Sequence, residues 1–144
     1  MRSREPDRIA RLGRFSRSHG VTRHVLIIDD DADIRDVVQC SLELTASWRV
    51  SQAANGLDGI RLAQDLRPDG ILLDLMMPNM DGRAIARALR DRNMHMPVAL
   101  FTAKQVDDES VAAMAGIAAS IAKPFDPFTL HLAIAKAFGW HAPC

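Results

Sequence analysis

The fold of this chain is set by one stretch of sequence, Ile71-Leu72-Leu73-Asp74-Leu75-Met76-Met77-Pro78-Asn79-Met80-Asp81-Gly82. Its apolar start is typical of a buried strand, and Pro78 and Gly82 then predict a turn. We therefore expect Asp74 at the carboxyl edge of a sheet, which is where open parallel sheets bind their ligands. Because aspartate is also a common turn residue, this stretch alone favours a chemical role and a turn-capping role equally.

Length and composition predict one domain with a tail at each end. The chain has 144 residues, 48% of them hydrophobic, which suits a single core because domains most often run to about 100–150 residues. We expect this domain at residues 23–140, after a basic and largely disordered tail at 1–22 and before a short tail at 141–144. Residues 1–24 hold seven arginines against two acids, whereas the other 120 hold 11 bases against 16 acids.

Charge, apolar runs and cysteine spacing together exclude several classes of function. Nucleic-acid binding needs a basic face, so the domain itself is not expected to bind nucleic acid. The chain has no run of 18 apolar residues, and its arginine-rich start lacks the apolar core of a secretory signal. Cys40 and Cys144 show neither metal-ligand spacing nor a disulfide framework, which favours free thiols. Together these features predict a soluble, cytoplasmic protein without a membrane span.

From His24 onward, apolar runs typical of strands alternate with segments of helical periodicity. Parallel strands need helical crossovers, so the alternation predicts an α/β fold with a doubly wound, five-stranded parallel sheet and five helices. Asp31 or Asp33 is the expected N-cap of the first helix. The predicted strands are 25–28, 48–53, 71–74, 97–101 and 118–122, and the predicted helices are 33–45, 57–66, 83–92, 107–115 and 127–138.

Reactive polar residues follow four of the predicted strands. Asp29 and Asp30 follow the first strand, Asp74 ends the third, Thr102 follows the fourth and Lys123 follows the fifth. Since parallel strands all point the same way, these side chains are expected to converge on one edge of the sheet. Each has an ordinary alternative, because aspartates cap helices, threonine favours strand ends and lysine is usually solvated. Their joint occurrence favours a functional site.

The chemistry of this edge is that of phosphoryl transfer with a divalent cation. Neighbouring carboxylates repel one another unless a cation lies between them. Oxygen ligands with no histidine or cysteine favour Mg²⁺ over zinc, and Mg²⁺ typically joins one or two carboxylates to phosphate oxygens. Lys123 and Thr102 supply the cation and the hydroxyl that a phosphoryl group needs. Asp74 is then the expected nucleophile, forming an acyl phosphate.

These residues resemble the response-regulator receiver domain of bacterial two-component signalling. The resemblance covers roughly residues 23–140 and predicts a regulatory phosphoacceptor, not an enzyme beyond its own phosphorylation and dephosphorylation. The matching segments occur in the order and spacing of the family: Val25-Leu26-Ile27-Ile28-Asp29-Asp30-Asp31, Leu73-Asp74-Leu75-Met76-Met77-Pro78-Asn79-Met80-Asp81-Gly82, Phe101-Thr102-Ala103 and Ala122-Lys123-Pro124-Phe125.

The resemblance implies the strand order 2-1-3-4-5 and a role for each matched residue. Asp74 would take a phosphoryl group from a sensor histidine kinase or a histidine phosphotransfer protein, and a downstream protein would respond. Asp30 and Asp74 would bind Mg²⁺ directly, Asp29 would bind it through water, and the backbone carbonyl of Met76 would complete the protein ligands. The resemblance further implies phosphoryl contacts from Lys123, the Thr102 hydroxyl and the Ala103 amide, and a cis peptide bond between Lys123 and Pro124.

One position departs from the family pattern. Receivers usually carry tyrosine or phenylalanine three residues before the lysine, whereas this chain has Ser120 and no tyrosine at all. We expect a stand-alone receiver whose phosphorylation chemistry is intact and whose aromatic switch is absent. Two alternatives remain: a binding module of the same fold that works without phosphorylation, and a phosphatase with an aspartyl nucleophile. The phosphatase needs a second acid two residues beyond Asp74, where this chain has Met76.

Overall fold

Five parallel strands form one sheet in the order β2-β1-β3-β4-β5, as the family resemblance implies. The structure is a computed structural model that describes residues 22–79, 81–103, 108–112, 114 and 116–141. Residues 1–21 of the expected tail at 1–22, and residues 142–144 of the expected tail at 141–144, including Cys144, therefore lie outside the described residues. The strands are β1 (His24–Ile28), β2 (Arg49–Ala53), β3 (Gly70–Leu73), β4 (Val98–Thr102) and β5 (Ile117–Ala122).

A helix follows each strand, which confirms the predicted alternation. Asp31 is the N-cap of the first helix, and its side chain accepts hydrogen bonds from the amides of Asp33 and Ile34. The last helix begins three residues later than predicted, because residues 127–129 form a turn in which Asp126 accepts from the Phe128 amide. The helices are α1 (Ala32–Ala46), α2 (Gly56–Leu66), α3 (Gly82–Asp91), α4 (Asp108–Ala112) and α5 (Leu130–Phe138).

The sheet is covered on both faces, and this explains why its central strands are apolar without alternation. All five residues of β1, all four of β3 and all five of β4 are buried. Side chains of α1 and α5 pack on one face around Phe101, and those of α2 and α3 pack on the other around Leu73. Polar side chains can therefore gather only where the strands end.

An aromatic cluster closes the amino edge of the sheet, where the described chain begins. Trp140 packs edge-on against Trp48 and Phe138, and the Arg23 guanidinium lies 4.6 Å from the centre of the Trp140 ring. The carbonyl of Arg23 also accepts a hydrogen bond from the Arg49 amide at 2.8 Å. These contacts fix Arg23 beside Trp48, two residues beyond the end of α1.

Two further predictions can be compared with the structure. Cys40 is an exposed free thiol on α1, as expected. Among the described residues, none of the helices has the length and apolar character needed to cross a membrane.

The packing of α2 on β1 depends on the absence of a side chain at Gly59. A Cβ at this position would lie 2.5 Å from Ile28 Cδ1, and Ile28 is fully buried. We expect Gly59→Ala to lower the free energy of unfolding by about 1–2 kcal/mol, because overpacking costs more than the roughly 1 kcal/mol that alanine gains in helix propensity. Urea denaturation measures this change.

The matched control is Leu57→Ala in the same helix. Leu57 is 70% exposed, so its truncation should change stability by less than about 0.5 kcal/mol. A Gly59→Ala variant at least as stable as the wild type would contradict the tight contact.

Candidate functional site

Three carboxylates meet at the carboxyl edge of the sheet. Oxygen atoms of Asp29, Asp30 and Asp74 all lie within 4.8 Å of one another. The register produces this cluster, because Ile28 pairs with Leu73 and each of these residues is followed directly by an acid. The Asp74 amide also donates to the Ile28 carbonyl at 2.9 Å, which holds the two strand ends side by side. Asp29 and Asp74 are buried, whereas Asp30 is exposed.

Backbone amides hold the two buried carboxylates in the same way. Asp29 Oδ1 accepts from the Asp31 amide at 2.9 Å, and Asp74 Oδ1 accepts from the Met76 amide at 3.0 Å. Each acid therefore bonds to the backbone two residues further on, which is the usual geometry of an aspartate turn. This arrangement orients both carboxylates and leaves the Oδ2 atom of each for a cation.

Lys123 reaches both buried acids from the end of β5. Its Nζ lies 2.6 Å from Asp29 Oδ2 and 3.6 Å from Asp74 Oδ2, and its side chain is mostly buried. The peptide bond from Lys123 to Pro124 is cis, as the resemblance implies. A buried carboxylate is costly unless it is paired, and Lys123 supplies the opposite charge for Asp29. The lysine is nearer to Asp29 than to the expected nucleophile.

Thr102 and Ala103 lie beside Lys123. Thr102 ends β4 and is buried, it pairs with Ala122 in the register, and its carbonyl accepts from the Lys123 amide at 3.0 Å. Ala103 follows directly and is exposed. The structure thus brings the predicted residues of all four strand ends to one edge. Met76 also lies at this edge, because its backbone amide donates a hydrogen bond to Asp74 Oδ1. The Met76 side chain is exposed.

A second cation near the acids was missed by the sequence analysis. Arg35, on the first turn of α1, donates from one guanidinium nitrogen to the Asp29 carbonyl at 2.7 Å and from another to Gln52 at 3.0 Å. Its position one helical turn after Asp31 was the available signal, but an arginine there is usually a solvated surface residue. Its contacts show that Arg35 ties α1 to the ends of β1 and β2.

The electrostatics of the cluster favour a bound cation. The pKa of Asp74 is raised, first by burial and then by the nearby charges of Asp29 and Asp30, while the Met76 amide and Lys123 act in the opposite direction. The three carboxylates offer hard oxygen donors within a few ångströms, and this donor set fits Mg²⁺. Asp30, which is exposed, gives the cluster a side open to solvent.

Comparison with known proteins identifies the class of protein to which the chain belongs. The fold is a doubly wound parallel α/β sheet with an acidic site at the carboxyl ends of its strands. A family model described as the response regulator receiver domain matches residues 25–135. The chain therefore belongs to the response regulator receiver domain family, which is a family of regulatory signalling domains.

Individual relatives agree with this assignment. The chain is 42% identical over 105 residues to the DNA-binding dual master transcriptional regulator RpaA of Synechocystis, across 71% of this chain and 43% of the relative. It is 37% identical over 108 residues to the transcriptional regulatory protein PrrA of Mycobacterium tuberculosis, across 74% of this chain and 46% of that protein. The chain thus spans less than half the length of these two curated relatives.

A solved structure matches over nearly its whole length. The chemotaxis response regulator CheY4 of Vibrio cholerae superposes with a TM-score of 0.73 at 29% identity, covering 81% of this chain and 99% of that one. The fold assignment therefore rests on both sequence and structure.

The crowding of charge at the site predicts that removing one carboxylate stabilises the protein. Because the pKa of Asp74 is raised, the folded state favours its protonated form, and this contribution to stability is lost as the pH rises through that pKa. With a chelator present, Asp74→Asn should therefore unfold at a higher urea concentration than the wild type at pH 7. The difference should shrink as the pH falls below the usual aspartate pKa of about 3.9.

Asp65→Asn, which changes an exposed acid on α2, is the control for loss of a negative charge and should leave the midpoint nearly unchanged. An Asp74→Asn variant less stable than the wild type at pH 7 would contradict the proposed electrostatic crowding.

Proposed function

We propose that Asp74 accepts a phosphoryl group from a phosphohistidine on a sensor histidine kinase or a histidine phosphotransfer protein. The observation that carries the proposal is the cluster of three carboxylates within 4.8 Å of one another, two of them in contact with Lys123. Phosphorylation then changes the binding of a downstream protein. The proposal places the protein in the cytoplasm, and it assigns protein binding, not nucleic-acid binding, to the acidic receiver body.

In this proposal Asp74 is the nucleophile. The Met76 amide holds its Oδ1 and thereby fixes the carboxylate. A carboxylate oxygen forms a bond to phosphorus while the phosphorus–nitrogen bond of the phosphohistidine breaks, and the electron pair of that bond remains on the imidazole. The product is an acyl phosphate on Asp74. The catalysis consists mainly of positioning and electrostatic stabilisation, as is usual for phosphoryl transfer.

The acidic residues would hold the Mg²⁺ that this chemistry requires. We assign direct contacts to Asp30 and Asp74, a contact through water to Asp29, and the last protein ligand to the Met76 carbonyl. When bound, the ion supplies positive charge that offsets the carboxylates and the transferring phosphoryl oxygens. Asp30 is the exposed member of the set, so an ion can reach its carboxylate directly from solvent.

Lys123, Thr102 and Ala103 would hold the phosphoryl oxygens. Lys123 Nζ already lies between the two buried acids, 2.6 Å from one and 3.6 Å from the other, so a short movement away from Asp29 brings it to a group on Asp74. The Thr102 hydroxyl and the Ala103 amide come from the end of the neighbouring strand β4. The added negative charge gives the phosphorylated state new partners for these donors, and this shifts the balance between conformations.

Acetyl phosphate tests the phosphoacceptor. Incubated with this small donor and Mg²⁺, the wild type should gain the mass of one phosphoryl group, because Asp74 is positioned as a nucleophile. Intact-mass spectrometry measures the gain. Asp74→Asn should show no gain, whereas the control Asp65→Asn, which changes an exposed acid of α2, should behave as the wild type. The proposal would be contradicted by a wild type that gains no mass, or by an Asp74→Asn variant that gains as much mass as the wild type.

Thermal unfolding tests the metal assignment. Mg²⁺ at ten times its dissociation constant should stabilise the folded protein by about 1.4 kcal/mol, provided that it binds the folded state alone. Asp30→Asn should largely abolish this rise in Tm, because it removes a direct ligand without disturbing a buried contact. Asp65→Asn should retain it. Equal Mg²⁺ responses in the two variants would show that Asp30 is not a ligand.

A receiver-fold module that binds its partner without phosphorylation is the second candidate, and the position of Ser120 favours it. Ser120 lies where the family usually has an aromatic switch residue, and it lines an open cleft of about 790 Å³ between β5 and α5. Partner capture separates the candidates. The main proposal expects stronger capture by the phosphorylated wild type than by Asp74→Asn, whereas the binding module expects equal capture.

A further inference from the structure

An apolar strip on the outer surface of α1 and α5 has no partner among the described residues. Leu44 is 79% exposed, Phe128 is 80% exposed, and Val37 and Leu132 are each more than 40% exposed. Val37, Cys40 and Leu44 recur at helical spacing along one side of α1. The Ser41 hydroxyl donates to the Pro127 carbonyl, so the neighbouring Phe128 lies on the α5 side of this strip. We name this surface the α1–α5 face: Val37, Cys40, Leu44, Phe128 and Leu132.

Carboxylates border the α1–α5 face. Asp33 is exposed on α1 and Asp126 is exposed just before α5. Asp36 and Glu43 are also exposed on α1, where Asp36 accepts a hydrogen bond from Gln52 at 3.2 Å and Glu43 accepts one from Gln39 at 2.9 Å. The single base of α1, Arg35, is turned away toward Asp29 and Gln52. The last turn of α1 has no basic residue, so the negative end of its helix dipole is not offset by a side chain of the helix itself. Lys136 is the exposed base of α5, one turn beyond Leu132. An occupant of this face should therefore be both apolar and basic.

The first residues of this chain have that chemistry. Residues 8–15, Arg-Ile-Ala-Arg-Leu-Gly-Arg-Phe, lie outside the described residues and place bases and apolar side chains at regular intervals. Arg8, Arg11 and Arg14 repeat every three residues, as do Ile9, Leu12 and Phe15. This spacing gives a helix or turn of the segment an apolar side beside a basic side. The basic segment complements the acidic border, and its apolar side complements the strip.

The chain is long enough to bring this segment to the face. Arg23 is fixed beside Arg49 and Trp140, just past the end of α1, so the tail joins the domain near Leu44. The seven steps of chain from Phe15 to Thr22 span at most about 25 Å when extended. The strip from Leu44 back to Val37 is about 10 Å long at the rise of an α-helix. The segment therefore reaches the strip without being stretched.

We propose that residues 8–15 bind intramolecularly to the α1–α5 face, with Ile9, Leu12 and Phe15 covering the apolar strip and the arginines meeting the acidic border. This binding does not require phosphorylation of Asp74, so a test of the tail and a test of the phosphoacceptor can give different answers. The basic tail would then occupy the α1–α5 face, and the fraction of molecules with the face occupied would depend on the charges of the tail and of the face.

Cys40 lies within the face and reports its occupancy. The full-length chain carrying Cys144→Ser has one thiol, whose rate of alkylation by N-ethylmaleimide measures exposure. A tethered segment has an effective concentration on the order of millimolar, and its dissociation constant should be of similar size. The alkylation of Cys40 should then be about two- to fivefold slower than in a chain whose tail does not bind the face. Replacing Arg8, Arg11 and Arg14 by glutamate should remove the slowing, and so should high salt.

A cycle of substitutions separates docking from a change in thiol reactivity. Leu12→Ser with Phe15→Ser should raise the alkylation rate when the face is native, and should have little effect when Val37→Ser and Leu44→Ser have removed its apolar side chains. A thiol placed elsewhere by Leu57→Cys, with both native cysteines replaced by serine, should not respond to the tail.

Two results would overturn the proposal. Equal Cys40 rates with the native and the charge-reversed tail would show that the segment does not cover the face. Slowing that grows with protein concentration would show that the occupant is a second copy of the chain, not its own tail. Measurement across a range of concentrations, at low and at high salt, distinguishes these outcomes from the expected one.

Discussion

The ion pair between Lys123 and Asp29 holds the carboxyl edge of the sheet together. Asp29 is fully buried, and a carboxylate removed from water is stable only when a cation and hydrogen-bond donors replace its hydration. Lys123, 94 residues away in sequence, supplies the cation at 2.6 Å, and the Asp31 amide supplies a donor. Breaking such a pair typically costs about 3–5 kcal/mol, because it leaves a buried charge alone. The end of β5 is thereby tied to the end of β1, across the sheet.

Among the described residues, Lys123 is the one side-chain cation that contacts the carboxylates of this edge, since Arg35 binds the Asp29 backbone carbonyl instead. Lys123 contacts Asp29 and Asp74, while Asp30 adds a third carboxylate with an open side toward solvent. Burial raises the pKa of Asp74, and the charges of Asp29 and Asp30 raise it further, while the Met76 amide and Lys123 lower it. Such crowding opposes folding, and natural proteins retain it where the strained group has a use. A divalent cation would offset this excess of negative charge, and it would also bring positive charge to the oxygens of a phosphoryl group on Asp74. The geometry therefore supports the proposed function.

Under the proposed function, transmission from this site would follow a different route from an aromatic switch, because the chain has Ser120 at that position. Ser120 pairs with Leu100, two residues before the Thr102–Ala122 pair, and it lines the cleft between β5 and α5. Ala118, Ala122, Ala133 and Ala137 line the same cleft, so it remains open. Under the same proposal, a change at Thr102 would reach a partner through the backbone, through the Ser120 hydroxyl or through a group that enters the cleft. The α1–α5 face lies on the other flank of α5 and offers a separate contact surface.

The sequence by itself determined the alternation of strands and helices, the burial of β1, β3 and β4, and the placing of acids at strand ends, because periodicity and turn residues act locally. The strand order came from the family resemblance, and so did the roles assigned to the Met76 carbonyl and the Ala103 amide, whereas the expected roles of Asp74, Thr102 and Lys123 also followed from their chemistry at the strand ends. Tertiary structure alone decided that Lys123 lies nearer to Asp29 than to Asp74, that Arg35 binds the Asp29 carbonyl, and that α5 begins at Leu130 after a turn bonded to Ser41. Those choices join residues far apart in the chain. They depend on sheet register and helix packing, which no local pattern encodes.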